Sequence, residues 1–233
     1  MDDNEAETKP ETKLMTRRPR ILVINPNSNE AVTEGLRQAV HPLNYAEGPE
    51  IACTTLTEGP YGIETQEHAD SVTIPLRRKV EAAGDVDAFV IACYSDPGLH
   101  VVREGTDKPV FGIAESGILT ALTRADRFGV IAIKTRSIPR HIRYLRQMGL
   151  MDRFAGERPL EMSVAETATG DKTLDRMIEI GRDLRDHDGA GVIVMGCAGM
   201  ARHRRPLEHA LGIPVIDPTQ AAVAMAIGTL AVR

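Results

Sequence analysis

The chain has 233 residues, 42% of them apolar and 26% charged, with a formal net charge of −5. That composition excludes a disordered or collagen-like chain and leaves room for one large core or two half-sized ones. Its charges are mixed in sign, without a basic stripe bearing interleaved aromatics, which argues against nucleic acid as a partner. Its apolar runs fall short of the roughly 20 residues that cross a bilayer, which argues against a membrane partner.

Residues 1–20 are acidic and then basic with no apolar stretch, so they are expected to form a disordered tail and not a secretory signal. Strand-like runs rich in Val and Ile follow at Ile21 to Ile24, Ile51 to Leu56, Ala88 to Ala92, Val110 to Ile113, Phe128 to Ile133, Val192 to Met195 and Val215 to Ile216. They alternate with longer helical stretches, the pattern of α/β proteins with parallel sheets flanked by helices. Their nearly continuous apolar character fits burial on both faces.

The chain states this pattern twice. RILVIN returns as FGVIAI, DAFVIACYSDPG as AGVIVMGCAGM, and KPVFGIAESGILTAL as IPVIDPTQAAVAMA, at offsets of about 104 to 107 residues. Internal similarity of this kind marks repeated structural units. Two similar lobes related by a pseudo-two-fold axis are expected, with the active site in the cleft between them. The expected divisions are 21–116 for the first lobe, completed by the C-terminal helix 220–233, and 117–219 for the second.

In open α/β sheets the reactive groups lie where strands exit at their carboxyl ends. Cys93 follows one such strand and precedes a Pro-Gly turn; Cys197 holds the equivalent place in the second repeat, before Ala198-Gly199. Two thiols facing each other across a cleft can remove a proton from one side of a carbon and replace it on the other. Nearby backbone N–H groups can hold a thiolate, and this scheme needs neither metal nor cofactor. Cys53 has no counterpart in the repeat and no turn after it, so it is assigned to the core. With three cysteines and no C-x-x-C pair, neither a disulfide framework nor a zinc ribbon is expected, and a reducing, cytoplasmic setting is.

The candidate substrate-binding residues are Asn25 and Ser28 after the first strand, Tyr94 and Ser95 beside Cys93, and Ala198 and Gly199 beside Cys197. Ser28 or Asn29 is also placed to cap a helix. Glu115 and Asp217 follow equivalent strands, where acidic residues serve as helix N-terminal caps. His203 and His209, with Arg202, Arg204 and Arg205, read as a solvated helix face, and no histidine pair has metal-ligand spacing.

INPNS at 24–28, EGPYGIET at 58–65, ACYSDPGL at 92–99, PVFGIAES at 109–116, GCAGM at 196–200 and IPVIDP at 213–218 together resemble the hydantoin racemase motifs of the aspartate/glutamate racemase superfamily. The resemblance runs from about Ile21 to the C-terminus. It implies a two-lobed fold with Cys93 and Cys197 as the paired acid and base, and a cofactor-independent racemisation of 5-substituted hydantoins or of allantoin at C5. It also implies a small cyclic ureide as the partner and a homo-oligomer. Tyr61 and Ile63 are candidates for the apolar patch that takes the C5 substituent. Other activities of similar proteins are amino-acid racemisation, maleate-type cis–trans isomerisation and malonate-type decarboxylation, the last needing one cysteine. A non-catalytic small-molecule-binding module is the reading from a different class.

Overall fold

The computed structural model describes residues 17–170 and 172–232. Most of the expected N-terminal tail, residues 1–16, lies outside the described residues. The tail's last residues are tied down: Arg17 forms a two-pronged contact with Asp87, Arg18 donates to the Gly48 carbonyl, and Arg20 already belongs to the first strand.

Strands β1 (Arg20–Asn25), β2 (Glu50–Thr55), β3 (Ala88–Ile91) and β4 (Val110–Gly112) form a parallel sheet of order β2-β1-β3-β4. Strands β5 (Phe128–Ala132), β6 (Phe154–Pro159), β7 (Val192–Met195) and β8 (Val215–Ile216) form a second parallel sheet of order β6-β5-β7-β8. The two orders are the same, so the doubling in the sequence is a doubling of topology.

Helices connect the strands: α1 (Glu30–Val40), α2 (Gln66–Ser71), α3 (Thr73–Glu81), α4 (Leu99–Glu104), α5 (Ile113–Ala121), α6 (Ile138–Met148), α7 (Val164–Thr169), α8 (Thr173–Asp186), α9 (Arg204–Leu211) and α10 (Pro218–Ala231). Every residue of β3, β5 and β7 is buried, which accounts for their unbroken apolar runs. Each fully buried Val, Ile or Phe there contributes about 1.5–3 kcal/mol.

One strand escaped the sequence reading. The segment FAGERP forms β6, half-buried along its length at the edge of the second sheet, where Gly, Glu, Arg and Pro are tolerated. It carries Glu157, a residue of the site described below.

The two lobes exchange helices. Helix α5 leaves the first sheet and packs on β7 and β8, whereas α10 leaves the second sheet and packs on β1, β3 and β4. The two helices also pack on one another, and a Cβ on Gly117 would lie 2.9 Å from the Pro218 Cβ, so only glycine lets α5 approach the start of α10 this closely. His203 departs from expectation: it is buried at the end of the 3₁₀ segment Ala198–His203 and accepts a hydrogen bond from Arg202. Burial and the Arg202 charge lower its pKa to about 4, so it is neutral. Among the described residues no helix is long and apolar enough to cross a membrane.

Candidate active site

Each cysteine stands two residues past the end of a strand, Cys93 after β3 and Cys197 after β7. Both line one cleft between the lobes. Tyr94, Ser95, Ala198 and Gly199 line it as well, together with Ile63.

The two exits are built alike. The Gly199 N–H points at Cys197 Sγ at 3.4 Å, and the Ser95 N–H favours charge on the Cys93 sulfur. In each lobe the residue two beyond the cysteine therefore serves the sulfur. The N–H of the residue one beyond, Tyr94 or Ala198, has no acceptor among the described residues.

Burial pushes the Cys93 thiol up to about 12; the Ser95 N–H and the Arg140 charge act against it, while charge on Cys197 raises it further. Burial also raises the Cys197 thiol, opposed by the Gly199 N–H and by the Thr167 hydroxyl at 3.8 Å. Because charge on one sulfur disfavours charge on the other, the two sulfurs are not thiolates together. Cys53 lies elsewhere, half-buried on β2 and packed against the core, its thiol raised by burial to about 11.

Asn25 and Ser28 do not reach the cleft wall. Asn25 is fully buried and its amide is used within its own turn: Nδ2 faces Asn27 Oδ1, the Asn29 carbonyl and Thr33 Oγ1, and Oδ1 accepts the Asn27 N–H. The Ser28 N–H donates to the Pro60 carbonyl, and Asn29, not Ser28, caps α1. Asn27 is the residue of this turn that lines the cleft. Tyr61 is 66% exposed and lies outside the lining, leaving Ile63, Val32, Ile133 and Val164 as the apolar wall.

Asp217 caps α10 through the N–H groups of Thr219 and Gln220. Glu115 does not cap α5; it pairs with Arg103, and the cap comes from Asp96 across the loop, which accepts from the N–H groups of Ala114 and Glu115.

The sequence reading passed over a polar chain beside Cys93. Arg140 Nε donates to Ser95 Oγ at 3.0 Å; the same hydroxyl lies 3.4 Å from His141 Nε2, and His141 Nδ1 lies 2.6 Å from Glu157 Oε1. His141 also stands edge-on to the Tyr94 ring, with centroids 5.2 Å apart. On the other side of the cleft, Glu64 of the EGPYGIET motif joins the lobes by binding Lys134, Arg136 and the Val164 N–H.

The model of one protein family, Asp/Glu/hydantoin racemase, matches residues 21–226. The chain belongs to that family. It is 38% identical over 212 residues to a hydantoin racemase of Paenarthrobacter aurescens, covering 89% of each chain. An allantoin racemase from Klebsiella pneumoniae superposes with a TM-score of 0.86 at 32% identity, over 92% of this chain and 88% of that one. The allantoin racemase of Pseudomonas fluorescens gives 0.87 at 26% identity, over 91% of both chains.

Proposed function

We propose that this protein racemises 5-substituted hydantoins, allantoin among them, at C5. One cysteine removes the proton from one face of the carbon and the other returns a proton to the opposite face. A single observation carries the reading: Cys93 and Cys197 occupy equivalent strand exits on opposite lobes and line the same cleft. The family membership and the hydantoin and allantoin racemases among its relatives support the substrate class.

The C5 proton is acidic because C5 lies next to the C4 carbonyl, so removing it moves charge onto oxygen. The unengaged Tyr94 and Ala198 N–H groups are placed to hold ring oxygens, and the wall of Ile63, Val32, Ile133 and Val164 takes the substituent. No cofactor enters this scheme. Three unpaired thiols suit a reducing, cytoplasmic compartment, and family resemblance implies an assembly of several copies.

The test is polarimetry of single enantiomers of several 5-substituted hydantoins and allantoin, alongside solvent deuterium entry at C5 and an enzyme-free control. Enzyme-dependent decay of rotation to zero with deuterium incorporation is the expected result. Tight binding without exchange would replace the racemase with a ligand-binding module.

A further inference from the structure

We propose that Arg140 is the cation that binds the enolate oxygen formed at C4, held in position by Ser95. The inference rests on the racemase reading above and adds a residue to it.

Arg140 lies on α6, half-buried, on the wall of the cleft that both cysteines line. Two other part-buried arginines are neutralised, Arg103 by Glu115 and Arg158 by Asp188. Among the described residues Arg140 has no carboxylate partner, and its one hydrogen bond runs from Nε to Ser95 Oγ. That bond fixes the plane of the guanidinium and leaves its Nη groups unengaged. Ser95 is itself held, because its hydroxyl meets His141, which the fully buried Glu157 side chain anchors. Desolvation works against the Arg140 charge, while charge on Cys93, Glu157 and Asp70 supports it, so the guanidinium stays a cation on the cleft wall, ready for charge that develops on a ligand.

The N–H groups supply the second half of the argument. Those of Ser95 and Gly199 are committed to the two sulfurs, which leaves only neutral donors, Tyr94 and Ala198, for a ring that becomes negatively charged. When the thiolate takes the C5 proton, the C–H electron pair forms the C4–C5 double bond and the carbonyl pair moves onto oxygen. A charge fixed in advance stabilises that oxygen more than it stabilises the neutral carbonyl. When the second thiol returns a proton to C5, the pair moves back and the contact weakens.

The experiment measures deuterium entry at C5 at saturating substrate in wild type, Arg140→Met and Arg140→Lys, with and without added methylguanidinium. Arg140→Met is expected to lose about 100- to 1,000-fold in rate, the usual cost of removing one such donor, with KM moved less than threefold. Methylguanidinium is expected to restore part of the rate in Arg140→Met and none in wild type. If Arg140→Met does not fold, Arg140→Lys is read alone and is expected to lose at least tenfold, since an ammonium cannot form the fork. Wild-type rates in the variants overturn the proposal. So does an equal loss in iodoacetamide labelling of Cys93, which would place the charge on the thiolate instead. Absence of exchange in the wild type would be a failure of the racemase reading, and is seen before any variant is made.

Discussion

The Asp96 carboxylate fills the space in which a side chain at position 112 would begin. A Cβ on Gly112 would lie 2.3 Å from both Cγ and Oδ2 of Asp96. The two residues are complementary because Asp96 caps α5 from the Cys93 loop, its oxygens 2.9 and 2.8 Å from the N–H groups of Ala114 and Glu115. The second lobe solves the same problem the other way round. Asp217 stands where Gly112 stands and caps its own helix, and the place of Asp96 is taken by the buried Met200. Gly112→Ala is therefore expected to cost about 1–3 kcal/mol, the range for overpacking a closed site, and to displace the Cys93 loop. Chemical denaturation and the exchange rate at C5 measure the two effects; a variant unchanged in both would show that the cap is not rigid.

Asp96 also gives a pH signature. Burial raises its pKa from 3.8 to about 7, against the pull of the Glu115 and Ala114 N–H groups. A carboxyl whose folded pKa lies above its unfolded value binds more protons in the folded state, so its contribution to stability falls as pH rises between about 4 and 7. Asp96→Asn cannot titrate. The stability of the wild type relative to Asp96→Asn is thus expected to decline across that window and level off above it, as read from denaturation midpoints at pH 5, 6, 7 and 8.

The fold was legible in the sequence to the extent that it was written in buried strands and in their repetition. RILVIN, DAFVIA and AGVIVM announce doubly buried strands, and the equal offsets announce two lobes. FAGERP announces nothing, because an edge strand does not need an apolar run, and with it Glu157 went unseen. The cysteines were readable because strand exits are local. Arg140 and His141 were not, since they reach the cleft from α6, and neither was Thr167, which meets the Cys197 sulfur from α7; all three are far away in sequence and near only after folding. Helix α6 did hold a faint signal in the buried pair His141 and Leu145, one turn apart. Asn25 was misplaced for a related reason: the strand exit was seen correctly, but its amide closes the turn that presents Asn27.

Thr167 gives a prediction on the Cys197 side. Its single hydroxyl hydrogen goes to the Val164 carbonyl at 2.8 Å, while its oxygen lies 3.8 Å from Cys197 Sγ. A neutral thiol can donate to that oxygen, and a thiolate can draw the hydroxyl hydrogen towards itself; the charged form gains more. Thr167→Val keeps the shape and removes both options. The Cys197 pKa, already raised by burial, is expected to rise further, so iodoacetamide labelling of Cys197 should slow at neutral pH, by about tenfold for a loss of about 1.4 kcal/mol. The labelling profile moves to higher pH. Labelling of Cys93 serves as the internal control, and a Cys197 profile that stays in place would remove Thr167 from the site.

The two-base reading makes its sharpest demand on the single-cysteine variants. In Cys93→Ser the thiolate at 197 can still take the C5 proton from the one enantiomer that presents it, exchange that proton with solvent and return it to the same face. In Cys197→Ser the other enantiomer is handled in the same way. Each variant is expected to lose racemisation by about a thousandfold or more, in keeping with the general acid–base contribution. Each should nonetheless wash deuterium into one enantiomer with retention, and the two variants should choose opposite enantiomers. Cys53→Ser, on β2 and away from the cleft, should racemise at the wild-type rate and be less stable by about 1 kcal/mol, the cost of placing a hydroxyl in a half-buried apolar site. Chiral chromatography coupled to mass spectrometry reads isotope and configuration together. Exchange into both enantiomers by a variant with only one of the two cleft cysteines would mean that a single base reaches both faces, and the division of labour between Cys93 and Cys197 would have to be abandoned.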